Sequence, residues 1–113
     1  MNKFERKYLD KHLLVGLTYL NKDESVREII QLHGKITKVS KNTILFRRAD
    51  NGEEFSIPFD EENLDVGEPD AVYKLKSTGE AIENVDFISV WKIHPPPEEK
   101  TYNKSLEKST GKR

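Results

Sequence analysis

Six runs of β-branched and aromatic residues, most of them separated by turn signals, constrain the fold of this chain most strongly. The runs are LLVGLTYL, VREIIQLHGKITKV, TILFRR, EEFSIPF, AVYKLK and DFISVWKIH, and the turns between them include NKDE, SKN, DNG and STGE. Such runs favour strands, whereas clusters of Asn, Asp, Gly and Ser favour turns. Because short antiparallel strands leave exposed edges unless their sheet closes, we predict a mainly β fold. The prediction is a small antiparallel six-stranded barrel of the SH3-like, Sm-like or OB-like kind.

The two ends of the chain differ from this strand-rich centre. Residues 1–12 read MNKFERKYLDKH and place four ring or apolar residues on one helical face: Phe4, Tyr8, Leu9 and His12. Residues 95–113 have almost no apolar content, which predicts disorder because the segment cannot bury enough surface to offset its ordering. We therefore predict an N-terminal amphipathic helix over 1–12, a barrel domain over 13–94 and a disordered tail, rich in proline and charge, over 95–113.

The composition argues against several classes of protein. The chain has no cysteine, so it has no disulfide framework, no thiolate nucleophile and no cysteine-based zinc site. The sequence shows neither the apolar segment of a signal peptide nor a run long enough to span a bilayer, so we expect a cytoplasmic protein without a membrane partner. No Gly-rich phosphate loop, Gly-x-Ser-x-Gly or His-Glu-x-x-His motif occurs. We therefore expect neither an enzyme nor a protein that needs a cofactor.

Charge is segregated along the chain although the net charge is only -1. Residues 34–48 carry five basic residues and no acid, and residues 49–70 carry nine acids and neither lysine nor arginine. The near-neutral total excludes the bulk cationic field of a nonspecific nucleic-acid binder, so any electrostatic function has to be local. The candidate residues for binding an anion or a partner are Lys35, Lys38, Lys41, Arg47 and Arg48.

Two interpretations of this basic hairpin compete. Small barrels can hold single-stranded nucleic acid on a cationic strand face, and they usually add aromatic side chains on which bases stack. The nearby Phe46, Phe55 and Phe59 alternate onto the predicted core face instead. The second interpretation is that long cationic side chains cover a solvent-facing strand, where Asp50 and the acids after it offset their charge.

A strand register can be predicted for the central hairpins. A two-residue Asn51-Gly52 loop would pair Arg48 with Phe55 and place four apolar residues on the buried face: Ile44, Phe46, Ile57 and Phe59. Both ends of the preceding hairpin fit only if one strand contains an extra residue, so we predict a β-bulge near Thr37 and Lys38. Beyond the bulge, Lys35 lies opposite Arg47, with Glu54 only a diagonal neighbour of Arg47.

The acidic loop that follows these strands also has two interpretations. Its candidate partner-binding residues are Asp60, Glu61, Glu62 and Asp65. Their carboxylates could collect a hard cation, but the EF-hand spacing is absent. The other interpretation is that Leu64 and Val66 fix the loop to the barrel while the acids face water or a basic partner.

The remaining residues with chemical potential are three histidines and the single tryptophan. His12, His33 and His94 show no pairing at metal-ligand spacing in the sequence, which predicts surface or packing roles. Trp91 either fills the core with Tyr19 and Tyr73 or stands at a barrel mouth and anchors a partner peptide.

The stretches LLVGLTYL, IQLHGKI, YKLKSTGE and WKIHPPP resemble small uncharacterised bacterial β-barrel proteins over about residues 13–97. The resemblance implies a small bacterial barrel and carries no activity or functional residue to this chain. The stretch HGKITKVSKNTILFRRADNGEEFSIP also resembles the bent strands of Sm-type barrels, and that resemblance ends after Pro58.

Together these features predict a non-enzymatic binding module that meets another protein through its segregated charges. Such a module could regulate its partner or neutralise a toxin. The alternative is a single-stranded nucleic-acid binder that uses the basic hairpin over residues 34–48. The sequence predicts no particular oligomeric state.

Overall fold

The computed structural model describes residues 3–96, which contain one short helix and eight strands. Helix α1 spans Lys3–Tyr8. The strands are β1 (His12–Leu20), β2 (Val26–Val39), β3 (Thr43–Arg48), β4 (Glu54–Pro58), β5 (Asp65–Val66), β6 (Val72–Lys74), β7 (Ala81–Glu83) and β8 (Phe87–Ile93), with a 3₁₀ turn at Glu61–Asn63 before β5. The prediction of a mainly β fold is confirmed. The predicted tail lies almost wholly outside the described residues.

Six of the strands form one open sheet in the order β4-β3-β2-β1-β8-β5, and β6 and β7 form a separate two-stranded ribbon. The prediction of a closed, wholly antiparallel barrel is therefore wrong. Residues 59–86 carry the chain from β4 to the far side of β1, where β8 pairs with β1 in a parallel ladder. A meander of hairpins can be predicted from local turns, whereas this long crossover leaves no local turn signal.

The main core lies on one face of the six-stranded sheet. Alternate side chains of the strands point to this face, as the period of two requires. Its most deeply buried members are Leu13, Val15, Ile36, Ile44 and Phe46, joined by Tyr8 from α1. The helix is shorter than predicted: it ends at Tyr8, Asp10 takes a positive φ of 63°, and His12 already belongs to β1.

The β6–β7 ribbon builds a second, smaller core. Leu75, Ile82 and Val85 pack on Leu14, which β1 presents on the face opposite the main core. Tyr73 packs here as well, so it does not share a core with Trp91 as one interpretation of the sequence proposed. The ribbon is thus a small layer that packs on β1 and β8, on the face of the sheet opposite the main core.

The β2–β3 register agrees with the prediction. Lys35 pairs with Arg47 and Ile36 with Phe46, and the register then shifts so that Lys38 pairs with Leu45. The predicted bulge is therefore confirmed, with Thr37 as the extra residue.

The predicted β3–β4 register is wrong by two residues. Phe46 pairs with Phe55 and Arg47 with Glu54, because the loop holds four residues, 49–52, instead of two. Asn51 favours this longer loop, since its side-chain oxygen accepts a hydrogen bond from the Glu53 N–H at 2.9 Å. A shift of two residues keeps every side chain on its predicted face. The buried positions of Ile44, Phe46 and Ile57 are accordingly as expected, while Phe59 is only partly buried.

Candidate functional site

The pair of like charges at the centre of the basic hairpin is compensated within the fold. Lys35 and Arg47 are direct cross-strand neighbours, as predicted. The corrected register puts Glu54 opposite Arg47, with 3.9 Å between a guanidinium nitrogen and a carboxylate oxygen. The same carboxylate oxygen accepts a hydrogen bond from the Thr37 hydroxyl at 3.0 Å. Arg47 therefore has an acidic neighbour that the sequence prediction placed only on the diagonal.

Arg48 is occupied by a close acidic partner. Its Nε and Nη2 atoms donate to the two carboxylate oxygens of Asp50 at 3.0 and 2.7 Å. This hydrogen bonding raises the pKa of Arg48 and lowers the pKa of Asp50. A bidentate pair of this kind satisfies the part of the guanidinium that would otherwise bind a phosphate.

The five predicted basic residues do not converge on one surface. Lys35, Arg47 and Arg48 line a groove of about 830 Å³. Lys41 lines a different groove of about 540 Å³, beside Phe4 and Phe59, and Lys38 lines neither. The larger groove also contains the carboxylates of Asp10 and Asp86, and its lining residues include no Phe, Tyr or Trp. The larger groove therefore lacks the stacking platforms of a single-strand binder, whereas two phenylalanines lie beside Lys41 in the smaller groove.

The four predicted acidic residues are spread over two elements. Asp60 caps the 3₁₀ turn by accepting a hydrogen bond from the Glu62 N–H at 3.0 Å. Glu61 lies 3.5 Å from the Lys7 ammonium and accepts a hydrogen bond from the Tyr8 hydroxyl at 3.2 Å. Burial is the main reason that the pKa of Tyr8 is raised. Asp65 lies in β5.

The acidic loop is fixed to the sheet by fewer apolar contacts than predicted. Leu64 packs against the main core, whereas Val66 is 74% exposed. Within residues 3–96, no group of three or more His, Cys, Asp or Glu side chains could hold a metal ion. Within the described residues, the carboxylates of this loop therefore do not form a cation cage.

Strand β4 leaves one side of its backbone open. The Arg48 N–H donates to the Glu53 carbonyl at 2.8 Å. At the other end of the strand, the Phe59 N–H donates to the Asn42 carbonyl at 2.9 Å. In an antiparallel ladder, pairs of residues that exchange backbone hydrogen bonds alternate with pairs that do not. The backbone N–H and C=O groups of the non-bonded pairs point away from the neighbouring strand. The backbone groups that point away from β3 are those of Glu54, Ser56 and Pro58.

An apolar cleft of about 270 Å³ adjoins this open edge. Phe55 and Ile57 of β4 line one side, and Trp91 and Ile93 of β8 line the other, with Tyr19 between them. All of these except Ile57 are only partly buried. The Trp91 indole N–H donates to the Ser89 hydroxyl at 2.8 Å, which fixes the orientation of the ring. The cleft lies where β4 and β8 face each other without pairing.

A pair of histidines, which the sequence prediction missed, lines the larger groove. The Nε2 atom of His12 lies 2.9 Å from the Nδ1 atom of His33. On β1 and β2, His12 pairs with Lys35 and Leu14 pairs with His33, so the two imidazoles are diagonal neighbours. The contact between these two histidines could be predicted from the sequence only after a register had been assigned to the β1–β2 hairpin.

No helix among residues 3–96 is long and apolar enough to cross a membrane.

The comparisons with known proteins add no family assignment. No family model, curated protein or solved structure matches this chain.

Proposed function

We propose that this protein is a non-enzymatic binding module that takes up an extended segment of another protein at the open edge of β4. The observation that carries the proposal is the outward-facing backbone of Glu54, Ser56 and Pro58 beside the cleft lined by Phe55 and Trp91. A strand that adds to such an edge gains main-chain hydrogen bonds, and pockets for its alternate side chains give specificity.

The cleft defines the apolar half of the partner segment. A strand paired with β4 directs every second side chain to the face that Phe55 and Ile57 occupy. Those side chains would fill the space in front of Tyr19 and Trp91, which are only partly buried without a partner. Amphipathic aromatic rings of this kind are common anchors at protein interfaces.

Charge defines the other half of the partner segment. Residues 49–73 carry nine acids and neither lysine nor arginine. The exposed Glu54 lies on the edge itself, and Glu62 follows in the adjoining 3₁₀ turn. Complementarity therefore favours a segment in which apolar residues alternate with lysine or arginine. The segregation of charge noted in the sequence would then serve partner recognition.

A strand in this position would also extend the sheet toward closure. Small barrels remove their open edges by pairing the first and last strands of the sheet. Here β4 and β8 approach each other but leave a gap that contains the cleft. The barrel-like closure expected of an SH3-like or OB-like domain would, in this proposal, be supplied by the partner.

The proposal can be tested with a synthetic peptide of alternating valine and lysine, because Trp91 is the only tryptophan and lines the cleft. We expect saturable changes in Trp91 fluorescence and increased protection of the Ser56 amide from hydrogen exchange. The affinity should fall as salt is raised, because the exposed charges are then screened. A peptide of the same sequence with N-methyl groups on alternate residues should bind more weakly when those groups face β4.

A matched pair of variants isolates the backbone contribution. Ser56→Pro removes the outward N–H and is tolerated on an edge strand, whereas Ser56→Ala keeps the N–H and removes only the hydroxyl. We expect Ser56→Pro to abolish peptide binding and Ser56→Ala to retain it, with both variants folded by circular dichroism. Equal binding by both variants would refute pairing at β4. Binding of a single-stranded oligonucleotide without binding of the peptide would favour the nucleic-acid alternative.

A further inference from the structure

The hydrogen bonds around the histidine pair define which ring nitrogen carries a proton. The Nδ1 atom of His12 lies 3.1 Å from the Asn84 carbonyl oxygen, which can only accept, so this nitrogen carries hydrogen. In a neutral His12 ring the Nε2 atom is then an acceptor. The Nδ1 atom of His33, at 2.9 Å, must therefore be the donor in this contact.

The far side of His33 faces a carboxylate. Its Nε2 atom lies 3.7 Å from a Glu80 carboxylate oxygen, and only 15% of the His33 side chain is exposed. A carboxylate is an acceptor, so this contact is favourable when the Nε2 atom also carries hydrogen. A complete chain then runs from Glu80 through a charged His33 and a neutral His12 to the Asn84 carbonyl.

From this geometry we infer that His12 and His33 share one ionising proton and act as a pH-sensitive latch for the β6–β7 ribbon. A second proton would put two N–H donors against each other across the 2.9 Å contact, and one ring would have to turn away. Loss of the shared proton would leave the Nε2 atom of His33 without hydrogen, so its lone pair would face the Glu80 carboxylate. The chain of hydrogen bonds is complete only between these two protonation steps. Both steps are properties of the coupled pair and cannot be assigned to one ring.

The hydrogen-bonded chain contacts the ribbon at both ends of β7, and other contacts hold the rest of the ribbon. Glu80 and Asn84 flank β7, and each contacts one of the two histidines. The Lys76 N–H donates to the side-chain oxygen of Gln31 at 2.6 Å. The small apolar cluster around Leu75 packs the ribbon on β1, and the Glu68 N–H donates to the Tyr73 hydroxyl at 3.0 Å. Asp86, which follows the ribbon, also bonds the His12 backbone, because its N–H donates to the His12 carbonyl at 2.9 Å. Turning one ring away therefore breaks one of the two contacts that the histidines make with the residues flanking β7.

Other charges face the pair from each neighbouring element. Asp86 holds the His12 backbone, since its carboxylate accepts a hydrogen bond from the His12 N–H at 2.8 Å. The other charged groups that line the two grooves bordering the histidines are Asp10, Lys35, Arg47, Arg48, Asp50 and Glu80. Arg48 and Asp50 neutralise each other. Imidazole is the type of ionisable side chain whose charge ordinarily changes between about pH 5 and pH 8.

The latch can be tested by two measurements on the full chain. Long-range proton–nitrogen NMR of the imidazoles should show, at intermediate pH, hydrogen on Nδ1 of His12 and on both nitrogens of His33. Amide exchange of Leu75 and Lys76, corrected for intrinsic rates, should be slowest at the same pH. Once acid adds the second proton, the exchange should become about threefold to tenfold faster, the factor expected for one lost hydrogen bond.

Two variants separate the latch from a general effect of acid. His33→Asn keeps a donor toward His12, and its amide can flip when His12 is protonated, so the acid-dependent acceleration should disappear. His94→Gln removes an exposed imidazole outside the pair and should leave the acceleration unchanged. Independent titration of the two wild-type rings, or persistence of the acceleration in His33→Asn, would overturn the inference. The NMR result decides the matter even if the variant does not fold.

Discussion

Replacing Gly34 by alanine should destabilise this protein far more than the same replacement at Gly16. Gly34 is buried in β2 opposite Arg48, where β2 approaches the backbone of β3 closely. A Cβ atom at position 34 would overlap the Arg47 carbonyl oxygen and lie 2.6 Å from the carbonyl carbon. Carbon atoms pack best at about 3.5 to 4.0 Å, so the two strands would have to separate by about 1 Å.

The cost follows from that separation. Overpacking of a core typically costs about 1 to 3 kcal/mol. Moving the strands also weakens neighbouring ladder hydrogen bonds, each of which contributes about 0.5 to 1.5 kcal/mol. We therefore expect Gly34→Ala to lower the free energy of unfolding by about 3 to 5 kcal/mol, a large part of the stability of a small domain. The strain is steric and does not depend on an unusual φ.

Gly16→Ala is the matched control. A Cβ atom there would meet a Val90 methyl group at 3.7 Å, which is ordinary contact. Because alanine restricts the unfolded chain more than glycine, the variant should be neutral or more stable by up to about 1 kcal/mol. Urea denaturation of the two variants and the wild type measures both values. A Gly34→Ala variant within about 1 kcal/mol of wild type would refute the close approach of β2 and β3.

Two further predictions concern the core and the basic hairpin. Phe46→Ala should lower the free energy of unfolding by about 3 to 5 kcal/mol in urea titration, because Phe46 has no exposed surface; near-neutral behaviour would contradict the assigned strand faces. Asp50→Asn should remove a small contribution to stability that is present at neutral pH. The pKa of Asp50 is lowered by its hydrogen bond with Arg48, so this contribution is lost only as the pH falls through that depressed value. Thermal melts of wild type and variant should therefore converge at strongly acidic pH, and a difference that grows with acid would contradict the pairing.

Short-range features of the fold were predictable because neighbouring residues determine them. Ile36 and Val39 are both buried although they are three positions apart, whereas side chains of a regular strand return to the same face every second position. One extra residue, Thr37, is therefore needed to bring both onto the same face. The length of the Asn51-Gly52 loop was mispredicted, because an Asn-Gly pair favours a two-residue turn but side-chain hydrogen bonds can stabilise a longer one. The four-residue loop of the structure places Glu54 opposite Arg47 instead of on the diagonal, and this changes the electrostatic interpretation of the hairpin.

Long-range features could not be predicted from local patterns. The parallel pairing of β1 with β8 is accompanied by burial on both faces of β1, where Leu13, Leu14 and Val15 are all buried. A continuous apolar run of that kind is typical of a strand with neighbours on both sides and covered faces, but it does not identify the neighbours. The cleft beside Trp91 and the contact between His12 and His33 depend on this arrangement. Both candidate sites therefore required the tertiary structure.

The parallel pairing of β1 and β8 also has a consequence for the order in which the chain folds. Leu13 pairs with Phe87, 74 positions later, whereas β2, β3 and β4 join through short turns. Closing a long loop costs entropy before any contact repays it, so the hairpins should form first and the docking of β8 should limit the rate. On the ribosome, β1 is synthesised long before its second neighbour. During that interval its apolar edge is exposed to other nascent chains, and a chaperone that shields it would raise the yield of folded protein.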